Sequence, residues 1–261
     1  MLDKYFLDDY IVRNSIPNRP RAVLVEYLQS EILQSLYSSK FGPMLSFMGG
    51  TALRFVYKID RFSEDLDFEQ IQTGLDYDAL AIHLAKSLGA VGFAVETRVK
   101  KTENIIIIFV KFSDTMNRFG LESMSNEKMK IKFEIDPNPL KSARYESHPL
   151  SVYGKSYSVI ANTRETIFAQ KIIALFYRPY QKGRDFYDLI WFLLQKNVEP
   201  NYTLLLEKGL PISNRQELKL ALQKKISESD LQMAVKDVER FLFHSEKAQW
   251  IIDLQKFIDD F

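Results

Sequence analysis

Residues Phe47–Glu69 read FMGGTALRFVYKIDRFSEDLDFE. A glycine pair, Gly49-Gly50, heads the stretch, and two aspartates one residue apart, Asp65 and Asp67, stand near its end. Just upstream, MLSFM has the apolar run of a short buried strand. Thr51 to Tyr57 is expected to form a short helix, and Asp65 to Phe68 a strand. Alternate side chains of a strand share a face, so Asp65 and Asp67 point one way while Leu66 and Phe68 turn to the core. Two carboxylates about 7 Å apart along that face can bracket a divalent cation. A helix N-terminus attracts phosphate through its free N–H groups, and glycines let phosphate reach the backbone without a Cβ in the way. Singly, a Gly-Gly is an ordinary turn and alternating acids an ordinary polar strand face. Their order and spacing together shift the balance toward a metal-bound nucleoside triphosphate site, with the ordinary turn and strand face still open.

Other phosphate and cation motifs fail. The chain has no GxxxxGK(S/T), no GxGxxG and no kinase-type DFG, and the acidic stretch lacks the central glycine and closing glutamate of an EF-hand. Composition narrows the classes further. With 261 residues, 46% of them hydrophobic and 13% aromatic, the chain can build one large domain or two lobes around a real core. A formal net charge of +1 creates no global field for a polyanion, so nucleic-acid binding must come from a local patch. Cysteine is absent, which removes thiolate nucleophiles, disulfides and thiolate metal sites and fits a reducing compartment. The opening MLDKYFLDDYIVRNS is too acidic for a signal peptide, and no apolar run spans a bilayer. The expectation is a soluble cytoplasmic protein without membrane partners.

Helical spacing of Val25, Leu28, Ile32 and Leu36 after Asn18, a candidate N-cap, and Pro20 predicts a first helix. DYDALAIHLAKSLGA predicts another. Strands are expected in VGFAVETRVK, NIIIIFVKF, MKIKFEID and SYSVIA. From Thr163 the pattern turns helical, first in RETIFAQKIIALFYR and DFYDLIWFLLQK and then in three weaker segments, the last SEKAQWIIDLQKFIDDF. The predicted organisation is an α+β lobe over residues 1–160 and a helical lobe over 161–261.

Two further constellations carry charge. In MKIKFEIDPNP, Lys132, Glu134 and Asp136 share the face opposite Ile131, Phe133 and Ile135. That face is either a solvent-facing polar edge or a place where Glu134, with Asp136 in reserve at the strand end, adds a carboxylate and Lys132 meets phosphate. In RETIFAQKIIALFYRPYQKGRDFYDLIWFL, Lys171 sits on a helix face with Ile167 and Ala174, and Arg178 lies two turns on. It either snorkels over the core or reaches a phosphate. Arg184 and Asp185 open the next helix and Asp188 follows one turn later; Asp185 suits a helix start, and Arg184 and Asp188 are spaced to pair locally. The loop between interleaves Arg178, Lys182 and Arg184 with Tyr177, Tyr180 and Tyr187, which suits phosphates and stacked bases as well as a plain basic loop. His83, His148 and His244 show no metal-ligand spacing.

GGTAL followed by Arg61-Phe62-Ser63-Glu64-Asp65-Leu66-Asp67-Phe68 resembles the signature of the AbiEii/AbiGii-type nucleotidyltransferase toxins, members of the DNA polymerase β-like superfamily. The order of helical lysine, short basic loop and RDxxDL resembles that family's C-terminal motifs, so the likeness runs from Leu45 to Leu194. It implies a polymerase β-like core with a mixed sheet and a helical C-terminal lobe. It implies Mg²⁺, or Mn²⁺, held by Asp65, Asp67 and Glu134, with Gly49, Gly50, Thr51, Arg61, Ser63, Lys132, Lys171, Arg184 and Asp188 around the nucleotide. One late aspartate would be essential, Asp185 by preference over Asp188. The implied reaction is NMP transfer from an NTP, with the tRNA 3′ end as acceptor and a cognate antitoxin as partner. A transferase acting on a small molecule or protein, and a non-catalytic nucleotide-binding module, stay open; the intact Asp65-x-Asp67 pair speaks against the latter.

Overall fold

A computed structural model of the chain describes residues 4–113, 115–121 and 128–261. Its elements run in the order α1 (Lys4–Arg13), α2 (Pro20–Tyr37), β1 (Leu45–Met48), α3 (Gly49–Phe55), β2 (Leu66–Gln70), α4 (Tyr77–Ala90), β3 (Ala94–Lys101), β4 (Ile106–Ser113), α5 (Thr115–Arg118), β5 (Met129–Asp136), β6 (Tyr145–Val152) and β7 (Lys155–Asn162). Helices follow: α6 (Arg164–Tyr177), α7 (Gly183–Leu193), α8 (Tyr202–Glu207), α9 (Arg215–Ser227), α10 (Leu231–Val238) and α11 (Leu254–Asp260).

The seven strands form one mixed sheet in the order β3-β4-β5-β2-β1-β7-β6. β1 pairs antiparallel with β2 and parallel with β7, β2 pairs parallel with β5, and β3, β4 and β5 form an antiparallel meander. Alternation in β4 and β5 is strict: Ile106, Ile108, Val110, Phe112 and Ile131, Phe133, Ile135 are buried while their neighbours stay partly open. Phe68 stacks on Phe133 at 4.3 Å between ring centroids, fixing the β2–β5 register from the core side. α2 is buried almost all round from Val23 to Leu36, so its polar Glu26, Gln29, Ser30 and Glu31 are interior groups.

The chain divides into two units. One takes the sequence up to Val56, Phe62–Pro139 and Ser147–Ala161; the other takes Asn162–Phe261 together with two upstream segments, Tyr57–Arg61 and Leu140–Glu146. Both excursions are tied in by hydrogen bonds within the second unit. The Tyr57 hydroxyl donates to the Asn162 carbonyl, and Glu207 accepts from the Lys141 and Ser142 amides. The helical unit is packed closely enough that a Cβ at Gly183 would overlap the Ala234 carbonyl of α10.

Local expectations differ in four places. α2 is capped by Arg19, with Pro20 at its first turn, rather than by Asn18. α3 begins at Gly49, so the glycine pair is the helix's first turn and not a loop before it. β6 gave no strand signal because Pro149 interrupts it; at the sheet edge a missing N–H is tolerated. It joins β7 through Tyr153-Gly154, both at positive φ (49° and 73°), the two-residue turn that matches strand twist. α1 falls in the stretch whose acidity had spoken only against a signal peptide.

Candidate active site

The first unit brings the glycine pair to the acidic strand. Met48 is the register partner of Asp67 across β1–β2, so Gly49 lies beside that carboxylate. Gly49 has φ +75°, and a Cβ there would overlap the Asp67 side chain. Both facts demand glycine. Thr51 is fully buried, and its hydroxyl donates to the Asp65 carbonyl, which ties the start of α3 to the strand entry. Ser63 is held through its carbonyl by the Gln29 side-chain amide at 3.0 Å. Arg54, on the last turn of α3, makes an ion pair with the buried Glu26 at 2.7 Å, and the Tyr153 hydroxyl donates to the same carboxylate. Sequence offered no signal for that pin, since Glu26 lies 28 residues from Arg54 and 127 from Tyr153.

The third acid is a question of register. Across the parallel β2–β5 pair, Asp67 faces Glu134, and Asp136 faces Glu69 two residues further along. Asp65, Asp67 and Glu134 are all half-buried. Lys132 Nζ sits 3.2 Å from Glu134 Oε1. Partial burial pushes the Lys132 ammonium down, but the hydrogen bond to Glu134 and the field of Glu134, Asp65 and Asp67 outweigh it and raise its pKa. The strand face is therefore a carboxylate row carrying its own cation.

No three acidic or histidine side chains among the described residues converge as a ready-made metal cage. Mg²⁺ does not ask for one: it is usually held by one or two carboxylates with waters and substrate phosphates completing the shell. An all-carboxylate donor set at partly open positions fits that ion.

The second unit holds the other motif residues, in a different environment. Arg61 and Asp188 are 1% and 0% exposed and form a two-point ion pair, Nε–Oδ1 2.6 Å and Nη2–Oδ2 2.7 Å. Lys171 Nζ reaches the same carboxylate at 2.7 Å. Burial alone would push the Asp188 carboxyl up; Arg61 and Lys171 outweigh it and hold it below the usual carboxylate range. Asp188 thus pairs with Arg61 and Lys171 instead of locally with Arg184, whose guanidinium lies 4.1 Å from the Phe241 ring centroid. Asp185 is also buried and pairs with Arg178. The preceding Asp60 accepts from the Tyr187 hydroxyl at 2.8 Å and from Lys247, and its carboxyl is likewise held low despite burial. These partners lie 127 and 187 residues away, so sequence gave no hint of them.

In the basic loop, Tyr177 and Tyr180 are exposed and Lys182 Nζ stands 5.5 Å from the Tyr180 ring centroid. Tyr187 is buried and cannot offer a ring to a base. His83 is structural, its Nε2 3.1 Å from the Ser35 carbonyl.

A mixed sheet carrying GG and DxD on adjoining elements has the nucleotidyltransferase fold, and solved structures share it. JHP933 from Helicobacter pylori aligns with a TM-score of 0.58 at 20% identity, over 92% of this chain and 90% of that one. MenT4, a nucleotidyltransferase toxin from Mycobacterium tuberculosis H37Rv, aligns with a TM-score of 0.59 at 18% identity, over 100% and 91%. At these identities the likeness is one of fold. No curated protein sequence matches the chain. Residues 31–259 match the family described as nucleotidyl transferase AbiEii toxin, type IV TA system, and the chain belongs to that family of nucleotidyltransferase toxins.

Proposed function

We propose that the protein transfers NMP from an NTP to the 3′ end of tRNA in a Mg²⁺-dependent reaction, as the toxin of a toxin–antitoxin pair acting in the cytoplasm. The observation that carries the site assignment is the register that sets Asp67 beside Glu134, with the Gly49 backbone against the Asp67 carboxylate. Asp65, Asp67 and Glu134 would hold Mg²⁺, or Mn²⁺ in its place. The ion, when bound, supplies charge neutralisation of the phosphates.

The chain's own residues do the remaining work. Gly49, partly open, puts no Cβ between the backbone and phosphate, and Gly50 is buried behind it in the first turn of α3. Lys132, kept protonated by its carboxylate neighbours, is a phosphate contact. In the second unit Lys171, the more exposed of the two cations on Asp188, takes the phosphate-binding role, and Arg184 is a further candidate. Arg61 is assigned as an anchor rather than a phosphate ligand, because its guanidinium is spent on Asp188 in the interior. Asp188, with two cations on one carboxylate, is the late aspartate on which Lys171 depends; Asp185 holds Arg178. Thr51 and Ser63 shape the strand entry through their hydrogen bonds. The acceptor hydroxyl oxygen attacks the α-phosphorus, the bond from that phosphorus to the bridging oxygen breaks, and pyrophosphate departs. The hydroxyl proton passes to a carboxylate of the strand face. Positioning and charge neutralisation supply the rate.

Pure protein incubated with Mg²⁺, each α-labelled NTP and total tRNA tests this, beside an Asp65→Ala control. Label moving into tRNA and vanishing in the control is the expected result. Transfer to a small molecule or protein instead would replace the acceptor, and NTP binding without any transfer would reduce the protein to a binding module.

A further inference from the structure

The three-stranded flank of the sheet, β3-β4-β5, has one buried face and one open face. α4 covers the buried side, where the Thr97 hydroxyl donates to the Ala81 carbonyl. Arg98, the next residue, points the other way. Register then sets Arg98 beside Phe109 and Phe109 beside Lys132 in one row across three strands. The adjoining row joins Lys111 to Lys130. Arg98 and Lys130 are exposed, Phe109, Lys111 and Lys132 half-exposed, and Lys130 Nζ lies 5.2 Å from the Phe109 ring centroid.

Two acids on this face are already engaged, Glu96 by Lys128 at 3.0 Å and Glu134 by Lys132 at 3.2 Å. With Asp136 at the strand end counted as well, Arg98, Lys111, Lys128, Lys130 and Lys132 outnumber Glu96, Glu134 and Asp136 around a half-exposed aromatic ring, on a chain whose formal net charge is only +1. The row ends at Lys132, next to Asp65, Asp67 and Glu134. Strands are spaced about 4.8 Å apart, so Phe109 on β4 lies roughly 10 Å from β2, within reach of a strand's terminal nucleotide.

We propose that this open face is the docking platform for the single-stranded end of a nucleic-acid acceptor, with a base stacked on Phe109 and flanking phosphates on Arg98, Lys111 and Lys130. The proposal deepens the nucleotidyl-transfer reading and rests on it. Single-stranded binding surfaces combine an aromatic stacking ring with flanking cations, and this face has both beside the carboxylates. An acidic protein would use the charges but has no need of the ring.

The test is fluorescence anisotropy with a labelled single-stranded oligoribonucleotide carrying a free 3′ hydroxyl, titrated at several salt concentrations. Wild type should bind with a marked salt dependence. The double variant Arg98→Gln/Lys111→Gln should bind at least about tenfold more weakly and lose about 1.4 from the log–log salt slope, the share of two phosphate contacts on a single strand. Phe109→Ala should bind roughly tenfold more weakly with an unchanged slope. Because Phe109 is half-buried, its variant is read only where its melt matches wild type; the double variant carries the test alone. NTP binding should be unchanged in both. Oligonucleotide binding equal to wild type in the double variant, or none in wild type, overturns the platform. Failure of the wild type to bind NTP would instead overturn the transfer reading, since oligonucleotide affinity is measured separately.

Discussion

Asp67 and Asp188 are both motif aspartates, and their surroundings differ. Asp67 is half-buried on a strand face with other carboxylates, whose collective charge is offset by the partly exposed Lys132. Asp188 is sealed from solvent and saturated by Arg61 and Lys171. A half-open acid beside like charges gains from an incoming cation; a buried acid already holding two cations has nothing to gain from a ligand and much to lose from disturbance. On the proposed function, the difference would separate residues that meet substrate from residues that hold others in place.

The comparison can be broken at either end. Asp67→Asn should lower NMP transfer by on the order of a thousandfold, the loss of several kcal/mol of transition-state stabilisation, with little change in melting temperature. Asp188→Asn should cost about 3–5 kcal/mol in chemical denaturation, because it leaves Arg61 charged in the interior. An Asp188 variant as stable as wild type would show that the pair is not structural. Gly183→Ala should cost about 1–3 kcal/mol by forcing α7 from the Ala234 carbonyl. Asp185→Asn should cost about 1 kcal/mol or less, since Arg178 is partly exposed and can turn to water.

Acid sharpens the contrast. Asp188 and Asp60 have folded-state pKa values below their ordinary ones, so their stabilisation is present above the unfolded carboxylate value, near pH 4, and drains as pH falls through the folded values. Stability measured by denaturant from pH 7 downward should hold to about pH 4–5 and then drop, and the drop should shrink in Asp188→Asn.

Much of this was legible from local pattern. Period-two alternation in NIIIIFVKF and MKIKFEID gives β4 and β5, and the glycine and aspartate pairs mark the strand–helix–strand turn that carries the candidate site. Alternation could not choose between Glu134 and Asp136, which share a parity; only pairing across β2–β5 sets one beside Asp67. Nor could it foresee that Asp188 pairs with Arg61, which lies 127 residues upstream. The assignment of Tyr57–Arg61 to the helical unit was hidden for the same reason. No helix among the described residues is long and apolar enough to cross a membrane.

The most direct test of the account measures transfer from α-labelled NTP and thermal melting side by side for Asp67→Asn and Asp188→Asn. The expected result is a stable, inactive Asp67 variant and a destabilised Asp188 variant. An Asp67 variant that still transfers label at the wild-type rate would move the chemistry off the strand face and contradict the account.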